Sequence, residues 1–459
     1  MAIRNRWAIA AGGTAAMACL GTVYSWSLFT QPLVAAFGWS TTGATLAFSF
    51  AIFFLGVGAV AGGRWQDRAG PRPVAVSGAV LWGLGNVLAG LGTARYGAGW
   101  LYLTYGVVGG LGLGLAYVTP VATVTKWFPD RRGLGSGLVV MGFGLGAFAY
   151  NLVLRSIPAL AAAAGEAGEV LARRREGIGA ALSADATAAV LSAFTLSGLV
   201  FGVVGIACAA AVRNPPTPTS ITSESTIAAD PEPFDSAALA RGSAQDKLRA
   251  AGPESRGTST SSPPFDWPPS LALRTPQFWA LWGMLFLNVT AGILFISSAV
   301  PLLRELTGAS AEAAVGTYGL IALANGAGRF FWGAVSDRLG RRLAYGLIYG
   351  AQVGVFAVVG QVHALPAVAA LFAVVLLCYG GGFGTMPSLV ADWFGTRSLG
   401  VNYGWILSAW GTAGLVGPLF VAAVKDATGS YTGALPVMAG VLAAAVILPV
   451  VTRRPARRT

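Results

Sequence analysis

Arg329 is the side chain in this sequence best suited to hold a ligand. It lies inside an otherwise uncharged run, Tyr318-Gly-Leu-Ile-Ala-Leu-Ala-Asn325-Gly-Ala-Gly-Arg329-Phe-Phe-Trp-Gly. A charge set deep in an apolar segment is costly, and it usually faces a bundle interior or a watery cavity where it has work to do. Asn325 and Arg329 are four residues apart and share one helix face, with Tyr318 two turns back from Asn325 on the same stripe. A guanidinium beside an amide and a phenol can grip a carboxylate with two parallel hydrogen bonds. The alternative is that Arg329 snorkels to a nearby membrane surface. No Asp or Glu lies deep in any apolar run, since Asp392, Glu305 and Glu312 all stand near run ends. An unpaired buried cation calls for an anion, and a substrate is the natural one. The same pattern argues against a carboxylate proton relay. It favours anion exchange, or symport in which the substrate's own carboxylate takes the proton.

Aromatic side chains in other apolar runs could complete such a cavity. They are Tyr24 and Trp26 in the first run, Tyr117, Tyr150 and Tyr379 in later ones, and Trp405 and Trp410 towards the C-terminus. Phenols can orient a carboxylate while ring faces exclude water, although helix packing or an interfacial belt accounts for any one of them equally well. The expected substrate-binding set is therefore Arg329, Asn325, Tyr24, Tyr117, Tyr150, Tyr379 and Trp410.

These residues need a membrane scaffold to position them. The chain has 459 residues, 55% hydrophobic and 10% charged, against about 25% charged in soluble domains. With a window of about 20 apolar residues, twelve spans are expected at 8–34, 43–63, 74–94, 99–125, 133–155, 189–212, 277–303, 312–333, 343–361, 365–391, 399–424 and 431–452. If the N-terminus is cytoplasmic, inside segments collect 22 Lys/Arg and outside segments 7. The positive-inside rule thus accounts for the net charge of +12 without nucleic acid and places both termini in the cytoplasm. The basic start before the first run resembles a signal peptide, but the run is long enough to span and is expected to remain as the first helix. Cys19, Cys208 and Cys378 sit in apolar runs and suggest neither disulfides nor metal ligands. His363 is expected in an interfacial loop. No nucleophile–base constellation, paired carboxylates or metal-ligand cluster suggests an enzyme or a cofactor.

The chain repeats itself at an offset of about 270 residues. Gly63-Arg-Trp-Gln-Asp67-Arg68-Ala-Gly70-Pro-Arg72 returns as Gly333-Ala-Val-Ser-Asp337-Arg338-Leu-Gly340-Arg341-Arg342. Pro32 matches Pro301, and Lys126-Trp-Phe matches Asp392-Trp-Phe. The expected organisation is a six-helix half at 1–212, a flexible cytoplasmic linker rich in Pro, Ser and Thr at 213–275, and a second half at 276–459. The segment 156–189 is expected outside, as a helical hairpin extension or a loose loop. Parallel halves of this kind put the substrate between them near the bilayer midplane.

The repeated loop resembles the signature between helices 2 and 3 of the major facilitator superfamily. That resemblance implies an all-α polytopic membrane protein, with twelve transmembrane helices in two pseudo-symmetric halves. It also implies a conformational latch at Asp67, Arg68, Asp337 and Arg338. The chain is similar in particular to the oxalate/formate antiporter family, close to bacterial monocarboxylate transporters. The likeness rests on Gly21-Thr-Val-Tyr24-Ser-Trp26-Ser, Gly112-Leu-Gly-Leu-Ala-Tyr117-Val-Thr-Pro120, Lys126-Trp-Phe-Pro-Asp-Arg-Arg-Gly133, Met141-Gly-Phe-Gly-Leu-Gly146, Leu323-Ala-Asn325-Gly-Ala-Gly-Arg329 and Tyr379-Gly-Gly-Gly-Phe-Gly-Thr-Met-Pro387. It implies that Arg329 is the substrate-anion ligand. Oxalate-exchanging members carry a second cation, a lysine, in span 11, where this chain has Trp410; Lys425, near the outer end of that span, is a poor substitute. The expectation is a secondary transporter of a monocarboxylate such as lactate, pyruvate or formate, by proton symport or anion exchange. It would work as a monomer in the inner membrane. Oxalate/formate exchange, efflux of a drug or neutral solute, and a membrane sensor are the alternatives.

Overall fold

The computed structural model describes residues 5–216, 266–428, 430 and 432–456, apart from the side chains of 294, 297, 298, 311, 312, 418, 419, 421–423, 425 and 426. Residues 217–265 of the expected linker lie outside the described residues, as do the side chains of Glu312 and Lys425. All regular structure among the described residues is helical.

Eight helical stretches there are long and apolar enough to cross a membrane. They are Arg6–Phe37, Thr41–Ala69, Pro71–Trp127, Arg132–Ser156, Ala184–Ala211, Arg341–Gln361, Leu365–Phe394 and Ala434–Val451. Pro71–Trp127, at 57 residues, is two crossings, broken where Gly97 takes φ 73° and ψ −160°. With the long helices Pro276–Thr307, Ala311–Leu339 and Leu399–Thr428 this makes twelve spans, numbered 1 to 12 in chain order. Several run beyond the expected bounds. Thr41–Ala69 extends past the expected 43–63, because a helix does not stop where the hydrocarbon does.

Local chemistry starts and stops the two halves in matching register. Span 1 is capped by Asn5 and span 7 by Thr275, 270 residues on; span 2 is capped by Ser40 and span 8 by Ser310, again 270 on. Each of these side chains accepts a hydrogen bond from a backbone N–H of the first turn, a group with no intrahelical partner. Gly38 and Gly308 end spans 1 and 7 at φ 69° and 66°. Gly70 and Gly340 turn the chain after spans 2 and 8 at φ 84° and 85°, where a side chain would be strained.

After span 5, the helix Pro158–Arg175 makes the hairpin rather than a loose loop. Arg174 anchors it, donating to the carbonyls of Val34, Ala35 and Ala180 at 3.0, 2.8 and 2.7 Å. The last residues of the expected linker also have defined contacts. Trp267 N–H donates to Phe394 O at 2.8 Å, and Asp266 accepts from Arg397 N–H at 2.9 Å, before span 7 begins at Pro276.

Candidate functional site

Span 8 brings Arg329 to the centre of the helix bundle because glycines let its neighbours close in. A Cβ on Gly144 of span 5 would lie 2.5 Å from the Cα of Gly326, one turn before Arg329. One on Gly137 would lie 2.6 Å from the Arg329 carbonyl oxygen. Gly384 of span 10 also lies against the Arg329 carbonyl. Small residues at these crossings draw spans 5 and 10 onto span 8, and they carry Phe143 and Phe383 onto the guanidinium.

Arg329 is fully buried. Its Nε donates to Asn325 Oδ1 at 3.3 Å and its Nη1 to the Val140 carbonyl at 3.5 Å, while Nη2 has no partner. Its Cζ lies 5.2 Å from the centre of Phe143 and 4.8 Å from that of Phe383, inside cation–π range on both sides. Among the described residues Arg329 forms no ion pair. Tyr24, Tyr117, Tyr379 and Tyr403 all lie within its electrostatic reach. Trp410 completes the wall, its ring 5.2 Å from Tyr117, 5.5 Å from Phe143 and 4.8 Å from Phe383. The Tyr24 and Tyr379 hydroxyls are 2.6 Å apart and join spans 1 and 10.

The polar atoms left over define the chemistry. Besides Arg329 Nη2, the Tyr117 hydroxyl, the Tyr403 hydroxyl and Trp410 Nε1 are buried and complete no hydrogen bond, although the two hydroxyls lie near each other and Tyr117 lies near the guanidinium. All can donate, and none is a fixed anion. A buried donor left unpaired costs about 1–3 kcal/mol, more where charged. A small anion with several acceptor oxygens would satisfy such donors and the cation together. Beside this chamber lies a cavity of about 100 Å³, lined among others by Tyr24, Ser27, Asn151, Arg155, Tyr318 and Asn325. Tyr24 and Asn325 belong to both.

Of the expected binding residues, the structure gathers Arg329, Asn325, Tyr24, Tyr117, Tyr379 and Trp410. It does not bring Tyr150 to them: that hydroxyl is 2.5 Å from Ser197 Oγ and the ring packs on Phe201. Trp26 packs against Tyr105 and Phe194, and Trp405 lies under the Arg64 guanidinium. Phe143, Phe383 and Tyr403 were not anticipated as site residues. The one signal for the two phenylalanines was their place in the glycine runs Met141–Gly146 and Gly380–Gly384.

At one end of the bundle the repeated loops meet the opposite half. Asp67 accepts from the N–H groups of Gly400 and Val401 at 3.2 and 2.9 Å, at the start of span 11. Asp337 accepts from those of Gly133 and Leu134 at 2.9 and 2.8 Å, at the start of span 5. Each carboxylate thus sits on free amides at the positive end of a helix in the other half. Lys126 Nζ is 3.7 Å from Asp67. Arg341 pairs with Asp337 at 2.6 Å and with Asp392 at 3.0 Å, and Arg132 reaches Asp392 at 2.7 Å. Arg68 and Arg338, expected in the latch, are instead exposed and make no ion pair among the described residues. The reason is helical geometry: a neighbour in sequence is turned by about 100°, so when the aspartate faces the other half the following arginine faces water.

A sequence model described as the Major Facilitator Superfamily matches residues 11–388 and 322–459. The oxalate:formate antiporter of Oxalobacter formigenes is 28% identical over 438 residues, covering 94% of this chain and 88% of the relative. The apicoplast pyruvate carrier 1 of Toxoplasma gondii is 28% identical, covering 88% of this chain and 82% of the carrier. The crystal structure of the E. coli fucose:proton symporter superposes with a TM-score of 0.65 at 14% identity, covering 98% of this chain and all of that one.

Proposed function

The chain belongs to the Major Facilitator Superfamily and is a multi-pass membrane transporter rather than an enzyme, and we propose that its cargo is a small monocarboxylate moved by alternating access. The observation that carries this reading is Arg329, buried without a counter-ion among the described residues, with Nη2 free and the Tyr117 and Tyr403 hydroxyls close by and completing no hydrogen bond. A carboxylate there takes the free guanidinium N–H and the phenolic donors, while Phe143 and Phe383 keep water from competing. Trp410 favours one charge over two. A dianion would set its second carboxylate against an indole face with no second cation beside it among the described residues, at a cost of several kcal/mol.

The two six-helix halves move as bodies about this chamber. The end holding the Asp67 and Asp337 contacts is cytoplasmic, as its basic residues require, so the structure corresponds to a form closed on that side. Both termini lie in the cytoplasm, and the monomer in the cytoplasmic membrane is the working unit. Loss of those contacts opens the inner side. Because no carboxylate of the described residues lies at the chamber, the coupling is either cotransport of the substrate's proton or exchange for a second anion.

The test is uptake of labelled lactate, pyruvate, formate and oxalate into proteoliposomes, with and without a pH gradient and with each anion preloaded. Gradient-driven uptake of a monocarboxylate supports symport, and preload-dependent uptake supports exchange. Uptake of none of the three monocarboxylates would remove the proposal.

A further inference from the structure

Span 5 presents two polar side chains to the cavity, Asn151 and Arg155, one helical turn apart. Asn151 is engaged, donating to Ser25 Oγ at 3.1 Å and to the Ala147 carbonyl at 2.8 Å. Arg155 is not. It is exposed and has neither an ion pair nor a hydrogen-bond partner among the described residues. Span 5 also serves as a ruler, because Arg329 bonds the carbonyl of Val140. Arg155 is fifteen residues further along, about 22 Å at 1.5 Å per residue, and towards the end away from the latch. Between these two levels the cavity wall offers Tyr318, Ser27, Tyr24 and Asn325, the last of which accepts from Arg329 itself. The cavity therefore has a free cation in its wall, with hydroxyl and amide groups beside it, and Asn325 joins it to the Arg329 guanidinium of the adjoining chamber.

We propose that Arg155 forms an outer capture site for the carboxylate, distinct from the chamber at Arg329, and hands the anion inward past the Tyr24–Tyr379 hydroxyl pair. The proposal rests on the monocarboxylate reading above. An exposed ion pair is worth no more than about 1 kcal/mol, so the anion is concentrated at the mouth without being trapped there. A single cation beside a low-dielectric cavity raises the local concentration of a small anion and its rate of arrival, and salt screens that effect. Arg155 should accordingly govern KM for substrate offered from its own side. It should leave unchanged the maximal rate, which Arg329 and the movement of the halves determine.

The experiment is labelled lactate uptake into vesicles of uniform orientation, comparing wild type, Arg155→Gln and Arg155→Lys. Salt would be set at about 20 mM and about 300 mM, where the Debye length falls from about 20 Å to about 6 Å. The expected wild-type KM rises with salt. Arg155→Gln should raise KM about 2- to 5-fold at low salt, with the maximal rate kept and the salt dependence lost. Arg155→Lys should restore both, and KM for efflux from the latch side should be the same in all three. A wild-type KM that is flat with salt overturns the proposal, and so does an Arg155→Gln KM equal to wild type. A fall in maximal rate shared by the Gln and Lys variants would show a structural role and overturn it too. If wild type carries none of the tested monocarboxylates, the carboxylate reading fails first and the capture site fails with it.

Discussion

A guanidinium packed on two benzene faces has little freedom to be anything else. Phe143 and Phe383 hold the plane of Arg329, so its one free Nη2 points where the packing aims it. An ammonium at that position would lose the planar contacts and the forked geometry together. Arg329→Lys should therefore raise KM for lactate by about 10- to 100-fold, the loss of one charge-assisted hydrogen bond of about 1.5–3 kcal/mol. Arg329→Ala should abolish uptake while the protein still inserts at normal levels; wild-type uptake in the alanine variant would sink the binding role. Trp410 allows the opposite experiment, a gain. Its ring packs against Tyr24, Tyr117, Phe143 and Phe383, so a lysine there would enter the wall around the anion. In competition assays Trp410→Lys should improve oxalate relative to lactate by about tenfold, the scale of one added ion contact of about 1–2 kcal/mol. An unchanged ratio would mean that the indole does not face the second charge. Arg329 and Asn325 were readable from sequence because a charge inside an apolar run has few explanations. Phe143, Phe383 and Tyr403 were not, since an aromatic residue facing a guanidinium and one facing lipid have the same letters around them. Tyr150 illustrates the converse: its hydroxyl finds Ser197 on span 6, a pairing that no local pattern announces.

Among the helices, the contacts that hold the halves together are made largely by what is missing from side chains. Spans 5 and 8 touch through Gly144 and Gly326, and again through Gly137 and Gly333, where a Cβ on Gly333 would come within 2.9 Å of the Gly137 Cα. Spans 2 and 11 touch through Gly56 and Gly411, with an added Cβ at 3.3 Å, and again through Gly63 and Gly400. At Gly144 the obstacle is backbone, which cannot step aside as a side-chain tip can. Gly144→Val should therefore force spans 5 and 8 apart, abolish uptake, and leave the amides of Gly133 and Leu134 open to hydrogen exchange. Near-wild-type uptake by this variant would show that the crossing is looser than described. The abundance of glycine was apparent from composition, and close helix packing followed from it. Which of these glycines meet across the halves was not, because the partners of Gly144, Gly137, Gly56 and Gly63 lie roughly 180 residues or more away. The same limit applies to Arg68 and Arg338. Their neighbouring aspartates reach helix termini of the other half, but the motif does not say which side of span 2 or span 8 faces across.

For the molecule as a whole, the repeat visible in the Asp67 and Asp337 loops extends to caps and turns, identical at Ser40 and Ser310 but different at Asn5 and Thr275. Asn5 does the work of Thr275 and leaves the 270-residue register intact. The register also exposes an asymmetry. Lys126 in the last turn of span 4 and Asp392 in that of span 10 occupy matching places with opposite charge, so the two contacts between the halves are wired differently. Asp67 has the backbone amides of span 11 and a lysine at 3.7 Å, whereas Asp337 has those of span 5 and an arginine at 2.6 Å that also binds Asp392. If the halves move as rigid bodies, neither latch can open without the other. Asp67→Asn should then speed hydrogen exchange at Gly400 and Val401, its own contacts, and also at Gly133 and Leu134 on the far latch. The expected factor is about fivefold in both places, for a lost charged cap of about 1 kcal/mol. Asp337→Asn should do the same in reverse and by more, since it also takes a partner from Arg341. The double variant should approach the product of the two single effects, as independent contacts biasing one equilibrium do. Exchange that quickens only beside the substituted residue would mean that the two ends open separately, and the transport cycle could not then be a single rocking of one half against the other.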